Sequence, residues 1–413
     1  MSGSKPLEGI KVLDFSHAMA GPFCTMYMGD MGAEVWKIEK PGRGDGIRFT
    51  GTRIFGKEGG TDWYYAMNRN KKSLLIDLRD PRGRDLVYDL VPECDVVVQN
   101  FRPGVMEKLG LGFEDLAKRK KGLIYCSISA FGYEGPYKNK PANDVIMQSI
   151  SGLMDMTGEM GGQPVRVGMA ITDITTGVYA LAGILAALRV RDEHPEGQNL
   201  NLAMLDACLA FESMCIPGVV ATGKKVPKVG RSHATSVPYQ AFVCSDEKLL
   251  MVGAFTQGFW RSLCHAIGMP ELIEDPRFAG AFDRVDHRNE LVPILEDVFK
   301  TKTAEEWEKI LDEADVPNAP IIGIDETIKL EQVKANGILT EIEGDGRKIT
   351  NANFPIDCAA WDIRDHHKMA PVMGIDTRQI LKDAGIDDSR VAELMDQKVI
   401  GDEHFVKPPK KAK

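Results

Sequence analysis

The sequence predicts an α/β protein that has a Rossmann-like parallel sheet in a large domain and a smaller α+β domain after it. Up to residue 129, strand-like and helix-like segments alternate. Beyond Gly218 the pattern changes to a hairpin followed by amphipathic helices. The 413 residues, 43% hydrophobic and 27% charged, have ordinary globular composition and are enough for two domains.

Five segments are predicted strands because they are short and rich in aliphatic and β-branched residues. They are IKVLDFS (10–16), EVWKIE (34–39), KSLLIDL (72–78), CDVVVQNF (94–101) and GLIYCSIS (122–129). Helical segments such as RGRDLVYDLVPE lie between them. This alternation is typical of a doubly wound parallel sheet. A long helix is predicted from Thr172 to Arg191, and GQNLNLAMLDACLAFES adds a strand and a helix.

The second part of the chain predicts a separate domain. The segment VATGKKVPKVGRSHATSVP is rich in small and basic residues, which is typical of a connection. AFVCSDEKLLMVGA (241–254) predicts a hairpin with Asp246 and Glu247 at its turn, and TAEEWEKILDEAD predicts an amphipathic helix. We therefore expect a large domain over 1–200, a linker over 201–224, a small domain over 225–330, and a disordered basic tail over 401–413.

Composition excludes several classes of protein. The formal charge of −9 argues against a nucleic-acid binder. The N-terminus lacks the apolar core of a signal peptide, and the longest apolar run, 177–188, is shorter than the roughly 20 residues that span a bilayer. The eight cysteines are scattered without a C-x-x-C pair, which favours a reducing cytoplasm, and no zinc-type spacing predicts a metal site. We expect a cytoplasmic protein without a membrane partner.

The turn after the first strand is where a dinucleotide-binding protein carries its glycine-rich motif. Its sequence, SHAMAGPFCTMYMGDMGA, has no G-x-G-x-x-G, although Glu39 ends the second strand where a ribose-binding acid would lie. One acid without the glycines is weak evidence for such a cofactor.

The loops after three strands carry basic residues. Because loops at the carboxyl ends of parallel strands converge on one crevice, they would suit a phosphate-bearing ligand, or they are solvated surface charges. The residues are Lys37, Lys40, Arg43 and Arg48 in the first loop, Arg69, Lys71 and Lys72 in the second, and Arg102 and Lys108 in the third.

The segment GMAITDITTGVYALAGILAALRV (168–190) places one carboxylate, Asp173, at the start of a strongly apolar helix. The local pattern alone leaves two roles equally open, an N-cap of the helix or a reactive group.

Several long segments in the same order resemble the class III CoA-transferases, a family that includes formyl-CoA and carnitine CoA-transferases, benzylsuccinate-type enzymes and the related α-methylacyl-CoA racemases. They are LEGIKVLDFSHAMAGPFCTMYMGDMGAEVWKIEKPGRGD, NRNKKSLLIDLRDPRG, DVVVQNFRPGVMEKLGLGFEDL and SISAFGYEGPY. The resemblance is strong over residues 6–205 and looser to about 385. It implies a Rossmann-like large domain to which the chain returns at 331–400, and a dimer of interlocked subunits.

The resemblance also implies the site. The nucleophile falls on Asp173, and Asn143 and Asp144 fall on the substrate side. CoA would be bound as a thioester substrate, with no permanently bound cofactor. The residues that the resemblance assigns to CoA are His17, Met19, Ala20, Lys40, Ile76, Asp77, Leu78, Arg79, Asn100, Phe101, Arg102 and Lys108.

Two alternatives stay open within the family. A racemase needs a histidine opposite the aspartate to carry a proton, and Asn143 stands at that position in KPANDVIMQSISG. A non-catalytic subunit paired with a paralogous chain would be expected to lose the aspartate, which this chain keeps. Met19 replaces a glutamine of formyl-CoA transferase, whose glycine-rich lid sequence is also absent here. Succinyl-CoA is the predicted donor and a dicarboxylic or aryl-succinic acid the predicted acceptor.

Overall fold

The alternating apolar segments of the first part form the strands of one large sheet. The structure, a computed structural model, describes residues 5–55 and 60–405. In chain order the strands are β1 (Lys11–Asp14), β2 (Glu34–Glu39), β3 (Lys71–Ile76), β4 (Val96–Gln99), β5 (Ile124–Ser129), β6 (Gln198–Ala203), β7 (Tyr239–Val243), β8 (Leu249–Gly253), β9 (Asn318–Pro320), β10 (Leu339–Gly344), β11 (Arg347–Ala352) and β12 (Ile400–Gly401).

The helices fill the segments between the strands. In chain order they are α1 (Ala20–Asp30), α2 (Asp62–Met67), α3 (Pro81–Leu90), α4 (Val105–Lys108), α5 (Phe113–Leu116), α6 (Asp144–Ser151), α7 (Leu153–Met156), α8 (Ile171–Arg189), α9 (Met204–Phe211), α10 (Ile216–Thr222), α11 (Gln257–Ala266), α12 (Ala281–Asp286), α13 (Arg288–Phe299), α14 (Ala304–Glu313), α15 (Ile324–Thr327), α16 (Glu331–Ala335), α17 (Thr377–Asp383) and α18 (Asp388–Asp396).

Seven strands form the main sheet in the order β12-β3-β2-β1-β4-β5-β6. All neighbours are parallel except β12, which runs antiparallel to β3. Each of the five predicted strands coincides with one of these, so the predicted α/β class is confirmed. The strand order reverses at β1, which has β2 on one side and β4 on the other. In sheets of this kind, ligands bind in the crevice at the carboxyl ends of the strands next to this reversal.

Both faces of the main sheet are covered by helices. Along β1, Val12 packs with residues of α1, α8 and α9, whereas Leu13 packs with residues of α3, α17 and α18. This alternation follows from the two-residue period of a strand. Because both faces are buried, the strands are continuous apolar runs, which is why the sequence identified them.

Helix α8 approaches α1 very closely at Gly177. A Cβ atom added at Gly177 would lie 2.7 Å from the carbonyl oxygen of Ala20 and 3.0 Å from the Phe23 ring. Only glycine permits this approach. The contact fixes the position of α8, and of Asp173 one turn earlier, against the beginning of α1.

Among the described residues, α8 is the one helix that is by itself long and apolar enough to cross a membrane, and its mean hydropathy is 1.6. Helices α9 and α10 reach the same length and apolarity only when they are taken together as a bent pair. The length of α8, 19 residues, exceeds the apolar run counted from the sequence. Its buried residues include Gly177, Ala180 and Ile184, and the last two belong to the core of the main sheet. Packing within the fold thus accounts for its apolar character.

The chain divides into two compact units. The first runs up to Ser151, through Val167–Ile216, and on from Lys334, and the second comprises Gly152–Arg166 and Pro217–Val333. The predicted linker over 201–224 therefore needs correction, because the end of β6 and all of α9 belong to the first unit. Met204, Ala207 and Cys208 of α9 are buried there. The predicted tail over 401–413 lies outside the described residues from 406 onward, and Gly401 is part of β12.

The second unit has its own core. β7, β8 and β9 form an antiparallel sheet, and the predicted hairpin around Asp246 and Glu247 is the β7–β8 pair. Helix α14 begins at a capping box formed by Thr303 and Glu306, and its Trp307 is buried. This sheet with its helices matches the predicted α+β class.

Replacing Gly177 with alanine should destabilise the protein, because the new Cβ must displace the α1 backbone. We expect a loss of roughly 1–3 kcal/mol in the free energy of unfolding, measured by urea denaturation. Gly183→Ala in the same helix is the matched control, since its nearest contact would be an ordinary 3.8 Å from Leu200. That change should stabilise by roughly 0.5–1 kcal/mol through helix propensity. Equal effects of the two changes would contradict the close approach.

Candidate active site

A cavity of about 550 Å³ lies at the carboxyl ends of β1 to β4. This volume is in the range of small-molecule sites. Its wall is formed by the loops that follow these four strands and by α4. The lining residues are Phe15, His17, Ile38, Glu39, Lys40, Arg43, Gly44, Gly46, Ile76, Asp77, Leu78, Arg79, Phe101, Val105, Lys108 and Leu109.

The cavity combines apolar surfaces with cations. Ile38, Leu78 and Leu109 contribute aliphatic surface, and Phe101 packs edge-on against the His17 ring at 5.0 Å. Four cationic side chains lie around these surfaces, namely Lys40, Arg43, Arg79 and Lys108. Such a lining suits a ligand that has both an apolar part and phosphate groups.

Eight of the twelve residues that the resemblance assigns to CoA line this cavity: His17, Lys40, Ile76, Asp77, Leu78, Arg79, Phe101 and Lys108. Met19, Ala20, Asn100 and Arg102 do not. Asn100 instead holds the backbone of His17, accepting from its N–H at 2.8 Å and donating to its carbonyl oxygen at 2.7 Å. Arg43 is a lining cation that the assignment to CoA did not include, although the sequence showed it in the first basic loop.

Five of the nine basic residues counted in the three loops are ion-paired within the fold. Lys37 pairs with Asp45, Arg48 with Glu39, Arg69 with Asp30, Lys71 with Asp14 and Lys72 with Glu34. All three cations of the second loop are engaged with carboxylates and none lines the cavity, so of the two interpretations left open for these loops phosphate binding is not supported there. Sequence alone did not distinguish these cations from those of the cavity.

The buried pairs formed by Asp14, Lys37 and Glu39 lie close enough together to affect one another's ionisation. Burial alone would raise the pKa of the Asp14 carboxyl, but Lys71 and Lys37 outweigh it and hold that pKa below its ordinary value. Burial lowers the pKa of Lys71 to about 8, although Asp14 opposes this shift. Burial and the charge of Lys37 also lower the pKa of His17, so the ring of His17 in the cavity is neutral at pH 7.

Asp173 lies in the first turn of α8 and does not cap it. The N-cap is Ala170, and the capping hydrogen bonds come from Asp144 on α6. One oxygen of Asp144 accepts from the Thr172 N–H at 2.9 Å, from the Thr172 hydroxyl at 2.7 Å and from the Asp173 N–H at 3.4 Å. Capping therefore does not explain the carboxylate of Asp173.

Burial, together with the negative charge of Asp144, raises the pKa of Asp173 to about 7. Proximity to a helix N-terminus would act in the opposite direction, so the two raising effects outweigh it. A carboxylate that has lost water around it and still ionises near neutral pH is a stronger base than a solvated one. Perturbed groups of this kind occur preferentially at functional sites.

Asp144 and Asn143 have structural roles. Asp144 is 7% exposed, and its second oxygen accepts a hydrogen bond from Gln148 at 2.7 Å. The assignment of Asp144 to the substrate side stays a prediction, and its carboxylate lies against the first turn of α8, next to Asp173. Asn143 is exposed and accepts from the N–H of Ile146 at 3.3 Å, at the beginning of α6.

The candidate nucleophile and the cavity are connected through the beginning of α1. Asp173 precedes Gly177 by one turn on the same face of α8, about 6 Å along its axis. Gly177 contacts Ala20, and the segment from His17 to Ala20 joins the cavity to this contact. Met19 and Ala20 therefore lie between the cavity and α8, although neither lines the cavity.

Comparison with known proteins identifies related sequences. The sequence profile of CoA-transferase family III matches residues 7–377. The chain is similar to succinyl-CoA:glutarate CoA-transferase of Homo sapiens, at 34% identity over 98% of this chain and 92% of that protein. It is also similar to succinyl-CoA–D-citramalate CoA-transferase of Chloroflexus aurantiacus, at 36% identity over 76% of this chain and 77% of that protein.

The fold is similar to that of a solved structure, a CAIB/BAIF family protein from Brucella suis. The TM-score is 0.82, with 32% sequence identity, 93% of this chain and 100% of that chain covered.

The cavity cations predict how CoA binding responds to substitution. Lys40→Ala should weaken CoA binding about tenfold at low salt, because it removes a cation from the lining of the cavity. The effect should shrink at high salt, where phosphate contacts are already screened. Arg102→Ala is the matched control, since Arg102 does not line the cavity and its loss should change the affinity by less than about threefold. Calorimetric titration with CoA measures both, and a larger effect of Arg102 would contradict this site.

The raised pKa of Asp173 predicts a pH-dependent effect of Asp173→Asn on stability. The folded state holds this proton more tightly than the unfolded chain, so the stability it contributes is full below about pH 3.8 and is lost as the pH rises through 7. The asparagine variant should therefore gain stability relative to the native protein between pH 5 and pH 8, by on the order of 1 kcal/mol after solvent screening. Urea denaturation across this range measures it. A stability difference between the two proteins that stays constant from pH 5 to pH 8 would contradict the raised pKa of Asp173.

Proposed function

The chain belongs to CoA-transferase family III, and from this membership we propose that it moves CoA from succinyl-CoA to a dicarboxylic acid through a covalent intermediate on Asp173. The observation that carries the proposal is Asp173 itself, a partly buried carboxylate that ionises near pH 7 and is not needed as a helix cap. A family III transferase uses CoA thioesters as substrates. CoA would occupy the cavity at the carboxyl ends of β1 to β4.

The donor and acceptor are suggested by the relatives. The two similar enzymes are named for succinyl-CoA as donor and for glutarate or D-citramalate as acceptor. Both acceptors are short dicarboxylic acids, which supports this class over the aryl-succinic acids that the sequence left open. An acceptor of this kind has one carboxylate to react and a second by which it can be recognised.

The reaction proceeds in four balanced steps. The Asp173 carboxylate attacks the thioester carbonyl, which forms a mixed anhydride and releases CoA as the thiolate. The thiolate then attacks the aspartyl carbonyl, which gives an aspartyl-CoA thioester and free succinate. The acceptor carboxylate displaces CoA from this thioester to form a second anhydride. Attack of the thiolate on the acceptor acyl carbon yields the new acyl-CoA and regenerates Asp173.

The environment of Asp173 suits these steps. Its partial burial keeps water away from anhydrides that would otherwise hydrolyse. Asp144 raises the basicity of the nucleophile and satisfies the N–H groups at the helix end, which leaves the oxygens of Asp173 available for attack. Exchange of one thioester for another needs little net driving force.

Racemisation is less well supported. It requires two proton carriers, and the position that would hold the second is the amide of Asn143, which cannot act as a general base. The retained Asp173 likewise argues against a non-catalytic subunit.

We also propose that two copies of the chain associate and that they act in the cytoplasm. Exposed apolar side chains on α6, α8 and α9 support association, because contiguous apolar surface marks interfaces. These side chains are Val145, Ile146, Val178, Tyr179, Leu209 and Phe211. The cytoplasmic assignment depends on the scattered cysteines of the sequence. Homodimers and heterodimers are distinguished by expressing this chain alone.

The covalent intermediate can be trapped on the chain expressed alone. With succinyl-CoA and no acceptor, hydroxylamine should convert an activated Asp173 to the hydroxamate, and peptide mapping should place it in VGMAITDITTGVYALAGILAALR. Asp173→Asn should lower succinyl-CoA:glutarate transfer by at least about a thousandfold, because an amide cannot form the anhydride.

Two controls accompany this experiment. Asp173→Asn should still bind CoA within about threefold of the native affinity, because the cavity is intact. Asp192→Asn, just beyond the other end of α8, should transfer CoA at the native rate. Modification of a different residue, or near-native transfer by Asp173→Asn, would refute the proposed mechanism. A native chain that is inactive alone and active with a second chain would show a heterodimer.

A further inference from the structure

The turn after β1 contains a strained residue. Ala18 has a φ of +62°, in the left-handed region that residues other than glycine rarely adopt. Its side chain is exposed, so packing of the methyl group does not hold it there. Strained backbone of this kind persists only where the surroundings determine it, and it is concentrated at functional sites.

Side chains bind five backbone groups of this turn, from the Ser16 N–H to the Ala18 N–H. The Ser16 N–H donates to Asp14 at 2.9 Å, and the Ser16 carbonyl oxygen accepts from the Lys37 ammonium at 2.9 Å. Asn100 binds both the N–H and the carbonyl oxygen of His17. The Ala18 N–H donates to both oxygens of Asp45, each at 3.2 Å.

Lys37 and Asp45 are the charged members of this set that also bind each other. Their side chains are 0% and 1% exposed, and the Lys37 nitrogen lies 2.9 Å from a carboxylate oxygen of Asp45. Two charges removed from water gain little net stability from their attraction, because desolvation offsets it. Their contacts with the backbone on both sides of His17 point to a role in fixing geometry.

The turn lies where geometry matters for the reaction. His17 lines the cavity, and Ala20 contacts Gly177 one turn after Asp173. A shift of the turn would therefore move the cavity wall relative to the nucleophile. A misplacement of about 1 Å can lower a rate about a hundredfold.

We propose that the buried Lys37–Asp45 pair is a positioning pair. It holds the left-handed turn at Ala18 and thereby fixes the position of the cavity wall relative to Asp173. This inference rests on the proposed function, since the position of the cavity wall relative to Asp173 matters only if CoA in the cavity reacts at Asp173. Neither residue lines the cavity. Loss of the Lys37–Asp45 pair should lower kcat more than it weakens CoA binding, because Lys40, Arg43 and Lys108 still bind the ligand.

The turn can be tested without disturbing the buried charges. Ala18→Val adds a β-branched side chain at an exposed position and disfavours a positive φ. We expect kcat for succinyl-CoA:glutarate transfer to fall about tenfold, with the Kd of CoA within about threefold and the melting temperature lowered by only about two degrees. An unchanged kcat would overturn the proposal.

The pair is tested by Asp45→Asn, which should also lower kcat at least about tenfold. Adding Ala18→Gly to this variant should raise kcat again by at least about threefold, because glycine adopts the left-handed conformation without help from the Asp45 carboxylate. A purely structural loss would not be rescued at this position. Asp30→Asn is the matched control, since it breaks a buried pair with Arg69 away from the turn and should cost stability with kcat within about twofold. A kcat loss equal to that of Asp45→Asn would overturn the proposal.

Hydrogen exchange separates this proposal from the proposed function. The amides of Ser16 to Ala18 should exchange faster in Asp45→Asn than in the native protein and should be unchanged in Asp30→Asn. If the native chain does not transfer CoA, the proposed function fails while the exchange result still shows whether the pair holds the turn. If the chain transfers CoA and the exchange is unchanged in Asp45→Asn, the positioning role fails.

Discussion

The active end of the main sheet depends on charges that are buried beneath it. Asp14, Lys37 and Glu39 lie at the carboxyl ends of two neighbouring strands, each almost completely removed from solvent. A charge in that position must be paired. Asp14 is paired with Lys71 at the start of β3, and the partners of Lys37 and Glu39 come from the loop that follows β2. Lys37 binds Asp45, and Arg48 binds Glu39, whose pKa lies near 2 because these cations outweigh the effect of burial. Pairing of the buried charges thus fixes the loops that form the cavity.

The sequence could predict the fold because the dominant signal was local. Strands that are covered on both faces appear as uninterrupted apolar runs, so β1 to β5 were identifiable without knowledge of their neighbours. The division into units was less accessible. The apolar segment of α9 was included in a predicted linker, because membership in a unit depends on contacts between residues distant in sequence. The same limit applies to Gly177, where the need for glycine arises from the α1 backbone at Ala20, 157 residues earlier in the chain.

The site was predictable in part, for a related reason. Motif order directed attention to Asp173 and to half of the residues that line the cavity, but it could not separate cations that line the cavity from cations that are paired within the fold. Lys40 and Lys37 are three residues apart in the same segment, yet one lines the cavity and the other is fully buried in an ion pair. The difference depends on which carboxylates lie nearby in three dimensions. The capping role of Asp144 was likewise hidden, because it lies 28 residues before Thr172.

The position of Asp173 shows why the protein accepts an unfavourable charge there. A carboxylate in the first turn of a helix ordinarily gains from the helix dipole and from free N–H groups. In this protein Asp144 already accepts those hydrogen bonds, so Asp173 is left with the effects of burial and of a nearby negative charge. Both make its ionised form more reactive and the folded state less stable at neutral pH. Asp173 lowers the stability of the folded state, and Asp144 supplies the capping hydrogen bonds in its place. This arrangement is expected of a nucleophile. It is the opposite of what a structural cap requires.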